Sequence, residues 1–399
     1  MWSQYFLKMS KEKKHIVVLG GGFAGVEAVF HLSKLGHQVT MVSERDYCFI
    51  YPISIWIPVN KIKFDDVKLP LKKLQKVHKF NLIIDRVERI ESANNKVILK
   101  NQTLDYDYLI IALGGNKLTI EGAEHTYSTC GKPEKLLELK DRLNELLEKG
   151  SGKIAIGFGG NPNSPTGVRG GPAFEMLFNL VTLLKEKKLY DKFQLTFFAP
   201  MKEPGARMGG EGLKMLNKMY EKHEIGQKIG VPIKKFEKNK VLFADGTQLE
   251  SDLIIYTPAM TGHSVLKKSD LPLSIDGNVL IDGYCKVHSM DNVYAVGDVA
   301  RIDGPGWIAK QGHIAEIMAH YAVYNINNHI IGNPKRKGYP NHLNVICVMD
   351  AGNGAIFTKR TWNKETIIPM PKFGHWIKQA WGHYWKLSKL KKIPRFPGM

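Results

Sequence analysis

The sequence lacks any apolar run long enough to cross a bilayer. No stretch of about 18 consecutive apolar residues occurs, so no membrane-spanning helix is expected. The first residues, MWSQYFLKMSK, contain neither an apolar core nor a small-residue cleavage site. We therefore expect no secretory signal either.

Cysteines and acidic residues are also scarce. The four cysteines, Cys48, Cys130, Cys285 and Cys347, lie far apart and form no C-x-x-C pair. This excludes the usual zinc and thioredoxin-type motifs, and no metal site is expected. Only 38 acidic residues oppose 57 lysines and arginines, which gives a net charge of +19. Such an excess indicates either an anionic partner or a lysine-rich solvated surface.

A glycine turn near the start of the chain carries the clearest signal. An apolar run at 16–19 is followed at once by Gly20, Gly22 and Gly25 in the pattern G-x-G-x-x-G, and then by a helical pattern. A second apolar strand ends in Glu44, about 20 residues later, where an acid is expected to bind a ribose hydroxyl. Strand, turn and helix together predict a dinucleotide-binding unit whose helix N-terminus faces a pyrophosphate.

The same arrangement returns later in the chain. A second strand–glycine–helix unit begins at 153–160, and β-rich segments at 81–111 and 241–257 follow the two units. A further strand at 292–297 is expected to complete the first sheet. The order predicts an α/β protein with two Rossmann-like domains.

The residues resemble the two-dinucleotide-domain flavoprotein disulfide reductase superfamily. The glycine turn, the 107–114 strand and the 292–300 segment look like its three FAD fingerprints. Within it, the chain most resembles sulfide:quinone oxidoreductases, through Gly-Pro-Ala-Phe-Glu at 171–175, Lys-Gln-Gly at 310–312, Ile-Cys-Val-Met-Asp at 346–350 and an aromatic basic tail. Type II NADH dehydrogenases and flavocytochrome c sulfide dehydrogenases are the neighbouring families.

This resemblance implies three regions. Residues 13–115 and 275–335 would form a discontinuous FAD-binding domain, 116–274 a second Rossmann-like domain, and 336–399 a quinone- and membrane-anchoring region. The implied FAD-binding residues are Gly20, Gly22, Gly25, Glu44, Arg45, Gly114, Gly297, Asp298 and Lys310.

Cysteine chemistry beside the flavin is also implied. Cys347 matches the C-terminal redox cysteine of the family and Cys130 an auxiliary one, but Arg169 or a glycine stands where the usual partner is found. Two accounts stay open. Either Cys130 and Cys347 form the redox pair, with Arg169 attracting HS⁻ or favouring a thiolate, or the flavin takes its electrons from another donor. Cys48 and Cys285 are expected to fill the core.

Two further residues have implied roles. Glu175 falls where the family keeps a carboxylate on the quinone side, able to supply protons for quinone reduction; the alternative is an acid that stabilises a helix N-terminus. Lys310 precedes a helix expected over about 308–329, where a cation would stabilise the reduced flavin; the alternative is a solvated lysine.

The second glycine turn is expected to have lost nicotinamide binding. An insertion with two prolines separates 157–160 from the next helix, and the following strand ends in Ala199-Pro200 rather than in an acid. The alternative for 161–170 is a plain surface loop.

The C-terminal tail is expected to be an interfacial helix. Apolar or aromatic residues recur with helical spacing between 373 and 387, and lysines are expected to fill much of the opposite side. The alternative is a helix that packs its aromatics on the protein body. By resemblance, Trp381, Trp385 and Phe357 are candidate quinone contacts.

Together these observations predict a monotopic membrane enzyme on the cytoplasmic side of the plasma membrane. It would use FAD to pass electrons from sulfide, or a related sulfur compound, to quinone. The alternatives are a type II NADH:quinone oxidoreductase and a non-enzymatic basic flavoprotein. An anionic membrane surface is the expected partner; no nucleic acid is, because no recognised motif occurs. A homo-oligomer stays open.

Overall fold

The computed structural model describes residues 13–371 and 373–395. The expectation for the N-terminal segment, residues 1–12, lies outside the described chain, as do Lys372 and residues 396–399 of the basic tail.

The first half of the chain builds a parallel sheet of five strands. Their order is β19 (Val293–Ala295), β9 (Tyr108–Ile111), β1 (His15–Leu19), β2 (Gln38–Ser43) and β5 (Asn81–Ile84). The three strands β19, β9 and β1 are almost entirely buried and apolar, as expected of a parallel sheet covered on both faces. The downstream strand β19 pairs with β9, which confirms that the first sheet is completed by a late segment.

Three helices accompany this sheet: α1 (Phe23–Leu32), α3 (Leu71–His78) and α7 (Gly312–Ile330). Helix α1 packs against β1, β2 and β9 on one side and against α7 on the other. Helix α7 begins four residues later than expected, because Gln311 is still extended. Between β2 and α3 lie β3 (Tyr47–Phe49), α2 (Tyr51–Ser54) and β4 (Lys68–Pro70).

The second half repeats the design with four parallel strands. Their order is β13 (Gly226–Ile229), β12 (Phe193–Ala199), β11 (Gly152–Phe158) and β17 (Leu253–Thr257). The helices of this half are α4 (Lys135–Lys149), α5 (Gly171–Glu186) and α6 (Gly210–Lys222). Helix α5 packs on β11 and β17 and reaches the C-terminal region.

Each half contains a three-stranded antiparallel meander, which precedes β9 in the first half and β17 in the second. The first consists of β6 (Val87–Glu91), β7 (Lys96–Leu99) and β8 (Thr103–Asp105), and the second of β14 (Ile233–Glu237), β15 (Lys240–Phe243) and β16 (Gln248–Glu250). Two short antiparallel strands, β10 (Asn116–Lys117) and β18 (Met260–Thr261), join the halves. The predicted fold class is confirmed.

The C-terminal region is an antiparallel sheet followed by a helix. The sheet contains β20 (Val345–Asp350), β21 (Gly354–Arg360) and β22 (Glu365–Pro371), and the helix is α8 (Gly374–Lys389). The sequence predicted α8 but not the sheet. Helix α8 contacts β20, β21, α1 and α2. Within 13–371 and 373–395, no helix combines the length and the apolarity that crossing a membrane requires.

Candidate functional site

The first glycine turn forms a cradle in which the backbone requires glycine at two positions, Gly20 and Gly25. Gly20 has φ +112°, and a Cβ on Gly25 would lie 1.8 Å from the carbonyl oxygen of Gly20. At Gly22, which precedes α1, a Cβ would meet no protein atom within 4 Å, and no side chain caps the helix. The free N–H groups at the start of α1 therefore face open space, which fits a pyrophosphate.

Other predicted FAD residues surround this cradle at the ends of the parallel strands. Glu44 follows β2 and forms an exposed ion pair with Arg86 at 3.3 Å. Arg45 lies beside the Tyr47 ring. Gly114 lies three residues after β9, with φ +72° and open space where a Cβ would be. Gly297 lies two residues after β19, with φ +73°, and packs closely against Ala24 and Ala315. These positions leave room along one edge of the sheet for a dinucleotide.

Lys310 is held inside the protein, which rules out a solvated lysine. Its Nζ donates to Asn278 Oδ1 at 2.8 Å and to the Asp298 carbonyl oxygen at 2.6 Å. Burial lowers the pKa of Lys310 to about 8. The cation is thus fixed between the turn after β19 and the start of α7.

Cys130 is buried, and two half-buried cations and a half-buried carboxylate lie near it. Arg169 forms an ion pair with Asp298 and also interacts with the Cys130 thiol. Burial opposes the charge of Arg169, but Asp298 and Cys130 raise its pKa above the usual value. Burial lowers the pKa of Lys117 to about 8, with Cys130, Arg169 and Asp298 all close enough to act on it. Sequence reasoning missed Lys117; its one signal is a lysine placed just after the buried strand β9.

Cys347 has different neighbours. It lies on β20 opposite Thr358 of β21. Burial first, and then the charge of Glu175, raise the pKa of its thiol to about 12, while Lys378 acts in the opposite direction. All four cysteines are free, so Cys130 and Cys347 are not joined by a disulfide in this structure. Cys48 and Cys285 are completely buried, as predicted for core residues.

Glu175 is not an acid of a helix N-terminus. It lies beyond the first turn of α5, is buried, and forms an ion pair with Lys378 of α8. Glu175 Oε1 also accepts the backbone N–H of Asp350 at 2.9 Å. Burial raises the pKa of Glu175, and Lys378 opposes that shift. A buried acid with a raised pKa holds a proton more readily than a solvated acid does.

Two of the three lysines of α8 do not lie on a solvated face, so the expectation is wrong for Lys378 and Lys389. Lys378 and Lys389 are both buried, because acids of the protein body face them. Lys389 pairs with Glu27 of α1 and Glu316 of α7, and Arg395 also pairs with Glu27. We call these four residues, Glu27, Glu316, Lys389 and Arg395, the C-terminal clamp.

The predicted quinone contacts differ in accessibility. Trp385 is 1% exposed; its Nε1 donates to Glu316 Oε1 at 2.7 Å, and its ring centroid lies 4.6 Å from that of Phe23. Trp381 is half-buried and stacked on Phe23 at 6.5 Å. Phe357 is half-buried on β21. Phe23 opens α1, so Trp381 lies beside the dinucleotide cradle.

The second glycine turn is arranged differently from the first. Three residues separate β1 from α1, whereas twelve, 159–170, separate β11 from α5. Ser164 in this segment is completely buried, Asn161 Nδ2 donates to the Met260 carbonyl oxygen at 2.8 Å, and Arg207 holds the Val168 carbonyl oxygen at 2.9 Å. The segment is thus packed into the domain and is not a plain surface loop.

Comparison with known proteins adds to this geometry. The family model described as pyridine nucleotide-disulphide oxidoreductase matches residues 14–322. The chain is 27% identical to the sulfide-quinone reductase of Aquifex aeolicus, over 96% of this chain and 93% of the relative. It is also 22% identical to a type II NADH:quinone oxidoreductase of Staphylococcus epidermidis, over 87% of this chain and 90% of the relative.

Solved structures show the same fold. The sulfide:quinone oxidoreductase of Aquifex aeolicus superposes with a TM-score of 0.86 at 24% identity, covering 95% of this chain and 92% of the other. NDH2 of Plasmodium falciparum, solved in complex with NADH, gives a TM-score of 0.74 at 13% identity, covering 97% and 100%. The first similarity includes the C-terminal sheet and helix that the family model leaves out.

Proposed function

The chain belongs to the pyridine nucleotide-disulphide oxidoreductase family, and from that membership we propose that it is an FAD-dependent enzyme passing electrons from sulfide to a membrane quinone. The observation that carries the proposal is the half-buried thiol of Cys347, close enough to the Glu175–Lys378 pair for both charges to act on it, in a C-terminal region that matches a sulfide-quinone reductase. A thiol and a proton-holding carboxylate are the groups that sulfide oxidation and quinone reduction need.

The cofactor would lie along the edge of the first sheet. The N–H groups at the start of α1 would bind the pyrophosphate, Glu44 would bind a ribose hydroxyl, and Asp298 would bind a hydroxyl near the pyrophosphate. Lys310, fixed by Asn278 and Asp298, supplies positive charge for the reduced ring. When bound, FAD accepts two electrons from the donor and returns them to the acceptor.

The donor would enter between Cys130 and Cys347. Arg169 and Lys117 supply two half-buried cations beside Cys130, and both would attract an anion such as HS⁻ because partial burial strengthens the field of a charge. Arg169 or a neighbouring glycine stands where the resemblance implies a cysteine, and Arg169 would stabilise an anionic sulfur species rather than form a bond to it.

The acceptor would approach from α8. Trp381 and Phe357 offer half-buried aromatic surface next to the cradle, and Glu175 offers a proton. At the start of α8, Phe373, Trp376 and Ile377 are exposed by 64%, 65% and 48%. Exposed aromatic side chains on a protein with net charge +19 suit an anionic membrane surface, where quinone is dissolved. The enzyme is thus proposed to be monotopic.

A type II NADH:quinone oxidoreductase is the alternative, supported by the relative in Staphylococcus epidermidis. Against it stand the packed segment 159–170 and the absence of an acid after β12, where a ribose partner is expected.

Anaerobic mixing of the FAD-loaded protein with donor and acceptor tests the proposal. We expect sulfide to bleach the flavin absorbance, a soluble quinone to restore it, and NADH to leave it unchanged. Rapid bleaching by NADH but not by sulfide would mean that NADH, and not sulfide, is the electron donor. Cys347→Ala and Cys130→Ala show which thiols take part, and Cys48→Ala is the matched control in the core.

A further inference from the structure

Three buried polar side chains form one hydrogen-bonded chain that ends at the ammonium of Lys310. Lys310 Nζ donates to Asn278 Oδ1 at 2.8 Å, and Asn278 Nδ2 donates to the carboxylate of Asp276. All three residues are buried. The acid is therefore joined to the cation by side-chain hydrogen bonds alone, with one amide between the two charges.

The orientation of the Asn278 amide is fixed by its two neighbours. An ammonium only donates hydrogen bonds, and an ionised carboxylate only accepts them. The amide can therefore bind both groups only with its oxygen toward Lys310 and its nitrogen toward Asp276. In this orientation the carboxylate polarises the amide, and the amide oxygen becomes a better acceptor for the ammonium.

The Asp276 carboxylate is held in place and kept ionised by its surroundings. Ser274 Oγ donates to it, and the backbone carbonyl oxygen of Asp276 accepts Thr261 Oγ1 at 2.8 Å. Thr261 belongs to β18, so the acid is attached where the two halves of the protein join. Burial raises the pKa of Asp276, but its hydrogen bonds and the charges of Lys310 and Arg301 lower it below the usual value.

Two acids and two cations act on the Lys310 ammonium. Burial is the main reason why the pKa of Lys310 falls to about 8; the acids Asp298 and Asp276 oppose the fall, whereas Arg169 and Arg301 add to it. Asp298 is half-buried and paired with Arg169. The side chain of Asp276 is completely buried and lies 3.7 Å from the partly exposed Arg301. Water therefore screens the charge of Asp276 less than that of Asp298.

We infer that Asp276, acting through the Asn278 amide, is the positioning residue that keeps the Lys310 ammonium charged and in place beside the bound flavin. Its charge thereby raises the reduction potential of the flavin. The flavin lies beside Lys310 only if the proposed function holds, so the inference rests on it. Among the described residues, Asn278 Oδ1 and the Asp298 carbonyl oxygen accept two of the three N–H groups of the ammonium. The third is left for the cofactor, whose ring gains negative charge on reduction.

The reduction potential of the FAD-loaded protein tests the inference without sulfide or quinone. The flavin is reduced with light under anaerobic conditions beside a reference dye, and the two absorbances give the potential. We expect Asp276→Asn to lower the potential at pH 8 by about 30 mV, a tenfold change in the equilibrium constant of a two-electron couple. Loss of the carboxylate favours neutral Lys310, which no longer stabilises the reduced ring.

A double-mutant cycle separates this effect from a merely structural one. In the Lys310→Met background, Asp276→Asn has no ammonium to act on, so it should leave the potential unchanged. Asp303→Asn is the matched control, because Asp303 is exposed and also pairs with Arg301, at 3.3 Å. This variant should keep the wild-type potential. An equal drop with and without Lys310 overturns the inference, as does no drop in either background.

Arg301→Met should change the potential in the opposite direction. The cation of Arg301 lowers the pKa of Lys310 and partly neutralises the charge of Asp276. Its loss should therefore raise the potential at pH 8, an effect that structural damage would not imitate. Because Arg301 is partly exposed, this variant decides the inference even where Asp276→Asn fails to fold. An unchanged or lower potential in Arg301→Met overturns it.

An NMR titration of Lys310 gives a measurement that involves no flavin reduction. The protein is isotopically labelled at the Cε atoms of its lysines, and Lys310→Met assigns the resonance. The midpoint should move to lower pH in Asp276→Asn and to higher pH in Arg301→Met. Equal midpoints in these two variants and the wild type contradict the coupling. A purified protein that binds no FAD overturns the proposed function, whereas this titration still decides the coupling.

Discussion

At the scale of single residues, the two thiols near the site have opposite surroundings. Cys130 has cations beside it, whereas Cys347 has a carboxylate, and burial raises the pKa of the Cys347 thiol to about 12. A thiol with such a pKa is protonated at neutral pH and reacts slowly until something removes its proton. Burial is the first cause of the raised thiol pKa, and the charges of Glu175 and Lys378 modify it.

Removing the charge of Glu175 should activate Cys347. Glu175→Gln takes away a negative charge that raises the thiol pKa and leaves the Lys378 ammonium in place. The pKa should fall, and alkylation by iodoacetamide at pH 8 should become several times faster. Mass spectrometry of the labelled peptide measures the rate at Cys347, with the buried Cys285 as internal control. Equal rates in wild type and Glu175→Gln would contradict the assignment.

At the scale of elements, substitutions in the turn between β1 and α1 allow the stability of the fold and the binding of FAD to be tested separately. Gly25→Ala places a Cβ 1.8 Å from the Gly20 carbonyl oxygen, whereas a Cβ at Gly22 meets no protein atom. Gly25→Ala should therefore lower the free energy of unfolding by ~1–3 kcal/mol or more. Gly22→Ala should keep the stability of the flavin-free protein and lose bound FAD.

The flavin-to-protein absorbance ratio and urea unfolding measure these two effects. Full FAD occupancy in Gly22→Ala would mean that the pyrophosphate does not lie at the start of α1.

The C-terminal clamp ties α8 to α1 and α7 through buried charges. Lys389→Met leaves Glu27 and Glu316 without their buried ammonium, so we expect a loss of ~3–5 kcal/mol in the free energy of unfolding. Lys386→Met is the control, because Lys386 donates only to the Asp66 carbonyl oxygen at an exposed position. Equal losses in the two variants would show that the C-terminal clamp contributes no more to the free energy of unfolding than an exposed lysine does.

The pKa of Glu27 sets the sign of the pH dependence of the stability loss in Lys389→Met. Burial favours protonation of Glu27, but Lys389, His31 and Arg395 together lower its pKa well below the usual value. An acid with a lowered folded-state pKa stabilises the fold above its unfolded pKa, near 4.3, and loses that contribution as pH falls through the folded value. In Lys389→Met the carboxylates become protonated, so the stability deficit should shrink as pH decreases toward 4.

The tail shows where sequence reasoning succeeds and where it stops. The spacing of its apolar residues predicts α8, because helical periodicity is local information. The predicted orientation of Lys378 and Lys389 was wrong. Their partners Glu175 and Glu27 lie far away in sequence, so the local pattern does not contain them. The glycine turn could be predicted from the sequence because its backbone conformation requires glycine at fixed local spacings. Lys117 was missed because only the joining of β10 and β18 brings it to Cys130.

At the scale of the whole molecule, we expect exposed apolar groups and positive charge to contribute together to membrane binding. Trp376→Ser should weaken binding to vesicles containing phosphatidylglycerol several-fold, because an interfacial tryptophan is lost. Added salt should weaken wild-type binding as well, since the net charge of +19 is screened. Vesicle co-sedimentation measures both effects.

Trp362→Ser is the matched control for this surface. Trp362 is 57% exposed, but it lies at the turn between β21 and β22, the far end of a hairpin whose other end leads into α8. Seven residues of strand separate the two ends, about 24 Å. Equal weakening in both variants would show that membrane contact is not confined to the start of α8.

The clamp also bears on how the protein is made. Glu27 and Lys389 are 362 positions apart, so a ribosome adding about 5–20 residues per second needs roughly 20–70 s to synthesise the cation after the anion. During that interval Glu27, on the packing face of α1, has His31 of the same helix as a partner but lacks the cations of Lys389 and Arg395. Stable capture of the prosthetic group is therefore postponed until translation has passed Lys389, and nascent chains that stall earlier should be recovered colourless.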